Sequence, residues 1–102
     1  MEQVTIIGLE ENVWKIALNG DVVLGNAEEF YAEVKKAYEA TPANLLFDCE
    51  KLNFIDSTTL GTFVKICNEA EKNGHTVRLT NLQPRIKKMF LICALDRRFQ
   101  LD

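Results

Sequence analysis

Between residues 44 and 101 the hydrophobic period of the chain changes repeatedly, and this alternation constrains the fold more than any other feature. "NLLFDC", residues 44–49, is a short continuous apolar run. Leu60, Phe63, Val64, Cys67 and Ala70 then recur at helical spacing, up to Asn73-Gly74. "HTVRLT", residues 75–80, sets Val77 and Leu79 against Thr76, Arg78 and Thr80. Ile86, Met89, Phe90 and Cys93 return to helical spacing after Pro84, and "RRFQL" offers a last edge strand. A period of two marks a strand and a period of 3.6 a helix. Helices between successive strands imply crossover connections and parallel pairing. The unbroken apolar run at 44–49 suits a central strand covered on both faces. A turn is expected at Glu50-Lys51, followed by "LNFID".

The N-terminal part reads differently. "VTII" (4–7) and "VWKIAL" (13–18) are β-rich runs separated by "GLEEN", a hairpin pattern with Trp14, Ile16 and Leu18 facing the core. "NGD" at 19–21 predicts a break, with "VVL" a further short extended piece. A first helix follows from Asn26, a capping residue with Glu29 three positions on. Its apolar stripe runs from Ala27 to Tyr38 until Thr41-Pro42 ends it. The fold class is therefore α/β (α+β by a stricter definition). One domain spans 1–102, with a mixed central sheet of four to five strands and about three to four helices.

Composition narrows the function. Apolar residues make up 47% and charged residues 26% of the 102, and the net charge is −3. Direct nucleic-acid binding needs clustered Lys and Arg, which this balance does not supply. The densest basic group, Arg85, Lys87 and Lys88 with Arg97 and Arg98, reads as a solvated helix face. No apolar run is long enough for membrane insertion. The opening "MEQVTIIGLEENVWK" lacks the basic start and cleavage site of a signal peptide, so a cytoplasmic location is expected. Cys49, Cys67 and Cys93 show no metal spacing and read as small buried apolar residues; no metal and no cofactor are expected. For an enzyme, Ser57 with His75 or Asp48 would be the sole nucleophile–base candidates, and no G-x-S-x-G elbow is present.

The stretch "LNFIDSTTLGTFV", residues 52–64, carries the chemistry. Asp56 or Ser57 is the natural N-cap of the helix that follows. On one reading the hydroxyls do no more than cap that helix. On the other, the same exposed helix start favours added phosphate, and phosphoserine there would bring roughly −1.5 to −2 charge beside Asp56.

The chain from Leu45 onward resembles the STAS domain, the fold of bacterial anti-sigma factor antagonists. The matching features are Asp48 at a strand end, Asp56-Ser57, Leu60-Gly61, Asn73-Gly74, and Pro84 to Phe90. Gly20-Asp21 resembles the family's acidic segment before the first helix. The resemblance implies a phosphoprotein in sigma factor regulation, an adaptor rather than an enzyme. Ser57 would be phosphorylated by an anti-sigma factor serine kinase, with Thr58 as the lesser acceptor, and a phosphatase would reset it. Unphosphorylated chain would bind the kinase and release the sigma factor. The implied contact residues are Asp21, Val23, Asp56, Ser57, Thr58, Thr59, Leu60 and Gly61. Two positions depart from the family pattern: Thr58-Thr59 replaces Ser/Ala-Gly, and Val23 stands where an acidic residue is expected. The alternative is a constitutive STAS scaffold in a signalling complex or a lipid-transport ABC system. Finally, "MFLICAL", 89–95, is apolar nearly all round, so Leu91 and Ile92 are either buried or a patch for a partner or self-association.

Overall fold

Glu11 and Asn12 both take left-handed backbone, with φ of 52° and 64°. The two-residue turn they form closes the expected hairpin of β1 (Val4–Glu10) and β2 (Val13–Val22). The chain is described here by a computed structural model, which describes residues 1–101. Ile16 and Leu18 are buried as expected, and Trp14 packs partly against the core.

The break expected at 19–21 does not occur. β2 runs on to Val22, absorbing register shifts between Ala17 and Asn19 and between Gly20 and Asp21, with Gly20 at a φ of 68°. Its parallel partner β3 (Asn44–Ile55) likewise passes through Glu50-Lys51 without a turn. Bulges explain both corrections, because they let paired strands change phase without separating. Buried β3 positions step by two through Leu45, Phe47 and Cys49, then by three to Leu52 and Ile55.

The remaining elements are α1 (Ala27–Ala40), α2 (Ser57–Lys72), β4 (Val77–Thr80), α3 (Pro84–Ile92) and β5 (Gln100–Leu101). Asn26 occupies the cap position of α1, yet its side chain does not cap. Its Oδ1 accepts from the Val23 N–H at 2.8 Å and its Nδ2 donates to the Asp21 carbonyl at 3.0 Å, so the amide folds the β2–α1 loop instead. Pro84 begins α3, where its missing N–H costs nothing.

The sheet order is β1-β2-β3-β4-β5, antiparallel only between β1 and β2. The three crossovers all step the same way, and right-handed connections then place every helix on one face. β3 is accordingly covered on one face, not two. Leu45, Phe47 and Cys49 are buried, whereas Leu46 and Asp48 between them are only partly so. On the covered face Phe63 lies at the centre of an edge-to-face cluster of Phe30, Phe47, Phe90 and Phe99. Cys49 and Cys67 are buried as expected, but Cys93 is exposed at the C-cap of α3. Only Ile86 and Phe90 of the expected α3 stripe are fully buried, because the helix ends at Ile92 and the chain turns away through Ala94 at a φ of 55°. Leu91 and Ile92 are exposed, so this segment is not buried against the core.

Candidate functional site: the start of the second helix

The site forms where β2 and β3 end side by side, with Val22 paired to Ile55. The extended backbone of Asp56 (φ −112°, ψ −176°) turns the chain off the sheet and into α2. Its Oδ1 accepts from the Thr59 N–H at 3.0 Å, the expected N-cap bond. Its Oδ2 accepts from the Leu24 N–H at 2.9 Å. One carboxylate therefore ties the helix start to the β2–α1 loop. These two N–H groups, Thr59 first and Leu24 second, hold the Asp56 carboxyl below its ordinary value of 3.8.

A depressed folded-state pKa adds stability that is fully present above the unfolded value and is lost as pH falls through the folded one. Asp56→Asn should keep a serviceable cap at neutral pH but flatten the loss of stability below about pH 4. Urea midpoints measured down an acid series check this. An unchanged acid limb would dissociate the carboxylate from it.

Thr59 is fully buried. Its hydroxyl lies within reach of both the Val22 carbonyl and Asp56 Oδ1, and it has one proton to donate. The side chain thereby pins α2 to the end of β2. Thr59→Val keeps the shape but leaves the buried Val22 carbonyl without that donor, so unfolding free energy should drop by about 1–3 kcal/mol. Chemical denaturation of the two proteins measures it, and an unchanged midpoint would show the bond to be unimportant.

Ser57 is the first residue of α2, and both it and Thr58 are exposed. One turn on, Gly61 is also exposed, and a Cβ built there would meet nothing within 4 Å. The fold therefore does not demand this glycine, which leaves bare helix backbone beside Ser57 at the i+4 position. Leu24 (71% exposed) and Phe54 (47%) display apolar surface at the same end of the sheet. Sequence reasoning missed both. Their signal was an apolar side chain at the tail of a strand segment, which looks the same whether it faces core or solvent.

The other expected contact residues divide. Asp21 is exposed, whereas Val23 is half-buried and its carbonyl accepts from the N–H groups of Asn26 and Ala27. Thr59 and Leu60 face inward and present almost no surface. Neither candidate base lies beside Ser57. His75 follows the opposite end of the 16-residue α2, about 24 Å away along the axis, and its Nδ1 pairs with the Tyr38 hydroxyl at 2.6 Å. Asp48 stands nine residues before Ser57, and the seven steps from it to the end of β3 at Ile55 alone span about 23 Å.

The site thus displays a hydroxyl on a capped helix start, flanked by apolar side chains and bare backbone. The STAS domain matches residues 8–102, nearly the whole length, and the chain belongs to that family. Solved structures agree on the fold. A putative anti-sigma factor antagonist from Thermotoga maritima is 19% identical, with a TM-score of 0.85 over 93% of this chain and 83% of that one. The Bacillus cell fate determinant SpoIIAA in its phosphorylated form is 22% identical, with a TM-score of 0.74 over 97% and 90%. A serine-to-glutamate variant of Moorella thermoacetica RsbS is 20% identical, with a TM-score of 0.77 over 98% and 87%. At such identities the likeness is one of architecture. Among the described residues no helix is long and apolar enough to cross a membrane.

Proposed function

We propose that this chain is an anti-sigma factor antagonist whose docking face is switched by phosphorylation of Ser57. Unphosphorylated, it binds an anti-sigma factor serine kinase in the cytoplasm and the sigma factor is released. The kinase then transfers the γ-phosphoryl of ATP to Ser57 Oγ, the P–O bond to ADP breaking as the new ester forms; a base of the kinase takes the hydroxyl proton, ADP leaves, and the complex opens. A phosphatase hydrolyses the ester and resets the cycle. Thr58, exposed on the next position, is the secondary acceptor.

The observation that carries this reading is the exposed Ser57 hydroxyl at the first position of α2, one turn from Gly61 and at the sheet end where Leu24 and Phe54 are exposed. An apolar contact around it requires desolvation of everything it covers. A phosphate there adds roughly −1.5 to −2 charge beside a carboxylate that is already ionised, and burying that charge unpaired costs several kcal/mol. The helix itself tolerates the charge, because its N-terminal dipole end favours anions. Binding is thus lost while the fold is kept. Asp21 and Asp56 supply the acidic part of the face, and Val23, Thr59 and Leu60 support it from below.

Phosphosite mapping after incubation with ATP and an extract of the source cells tests the reading, beside a Ser57→Ala control. Phosphate on Ser57 that disappears in the control is the expected result. A chain left unmodified, in extract that phosphorylates other antagonists, would instead favour the constitutive scaffold.

A further inference from the structure

Two surfaces outside the switch serine carry opposite charge. The first is the outward face of α3. Leu91 and Ile92 are 49% and 73% exposed there, and Arg85, Lys88 and Ile92 share one stripe at i, i+3 and i+7. No acidic residue occurs between Pro84 and Leu95, and exposed Asp96 and Arg97 just beyond offset each other. The second surface is an open groove of about 470 Å³ between the first turn of α1 and the start of α2. Leu24, Glu28, Glu29, Tyr31, Thr58 and Thr62 line it. Lys65 lines it too, and its ammonium is held over the Tyr31 ring, 4.3 Å from the centroid, so the two glutamates outnumber the one cation. Among the described residues neither Glu28, Glu29 nor Lys88 makes an ion pair.

A symmetric contact of α3 with another α3 would set Arg85 and Lys88 against their own copies, which like charge opposes. The groove offers what α3 lacks: carboxylates beside an exposed leucine. We propose that the chain associates head-to-tail with a second copy of itself, the basic and apolar face of α3 seating in the acidic groove between α1 and α2. In a pair each copy still keeps one face free, so further copies can add and the assembly is open-ended rather than a closed dimer. A nine-residue helix presents less than the roughly 800 Å² per partner of a stable interface, so the association is weak and salt-sensitive. Because Thr58 lines the groove one residue from Ser57, a seated copy also shields the acceptor.

Sedimentation velocity of the full chain over a rising concentration series tests this, with folding checked by circular dichroism. The weight-average mass should climb past that of a dimer and fall back in high salt. Lys88→Glu, Leu91→Ser with Ile92→Ser, and Glu28→Lys with Glu29→Lys should each weaken association at least tenfold. Mixing the Lys88→Glu chain with the Glu28→Lys, Glu29→Lys chain should restore it, since each acidic face then meets a basic one. A monomer at every concentration would overturn the proposal. So would a mass that stops at dimer and ignores Glu28 and Glu29. Binding of a monomeric chain to phosphatidylglycerol vesicles, lost in Lys88→Glu, would assign the α3 face to lipid and overturn it equally.

Discussion

Ser57→Glu should lower affinity for the partner kinase at least about 100-fold, equivalent to roughly 2.7 kcal/mol, and leave the unfolding midpoint almost unchanged. The two halves of this result have separate causes. A glutamate at the first position of α2 gains from the helix dipole by roughly 0.3–1 kcal/mol, and repulsion from Asp56 next to it offsets part of that. Stability therefore moves little. The docked complex instead buries a carboxylate beside the bare backbone at Gly61, at the sheet end where Leu24 and Phe54 are exposed. Calorimetric titration with kinase purified from the source cells, alongside urea denaturation, measures both halves. Binding retained in Ser57→Glu would remove the charge mechanism even if Ser57 proved to be a phosphosite.

Phe63→Ala should be the most destabilising single change in the core, at about 3–5 kcal/mol. The Phe63 ring lies 5.2 Å from that of Phe30 on α1 and 5.5 Å from Phe47 on β3. It is 5.7 Å from Phe90 on α3 and 6.3 Å from Phe99 before β5. One ring therefore joins all three helices to the sheet, and its loss opens a cavity that four other rings cannot fill without moving. A domain of this size has a total stability of order 5–15 kcal/mol, and each kcal/mol shifts Tm by roughly 4–8 °C. The variant should sit near the edge of folding at 37 °C. Phe63→Leu, which refills most of the volume, should cost distinctly less. Equal losses in the two variants, measured by thermal denaturation, would argue against a cavity mechanism.

Neither outcome depends on features that were equally visible in the sequence. Asp56 as N-cap, Pro84 at the start of α3 and Asn73-Gly74 closing α2 were legible because capping chemistry is local: the residue and the backbone groups it serves lie within four positions. The Glu11-Asn12 turn was legible for the same reason. The expected turn at Glu50-Lys51 failed because two polar residues in a row look the same in a loop and in a strand crossing a bulge. Only pairing with Asn19 to Val22 of β2 keeps that segment extended. Asn26 misled in a related way, since a capping side chain can serve whichever neighbour presents a donor, and here the loop did so first.

The chain's local periods and caps determined by themselves the order of strands and helices, though not how far β2 and β3 extend, and that a hydroxyl would stand at the start of α2. Those properties rest on interactions within a few residues. The tertiary structure alone decided which faces the elements turn outward. Crossovers stepping one way left one side of the sheet open, and the end of α3 at Ile92 exposed Leu91, Ile92 and Cys93. It also sent Thr59 inward to the Val22 carbonyl, 37 positions away, while leaving Ser57 and Leu24 to solvent. No local rule assigns a threonine to one side or the other of a helix start. That assignment follows from where the next strand lies.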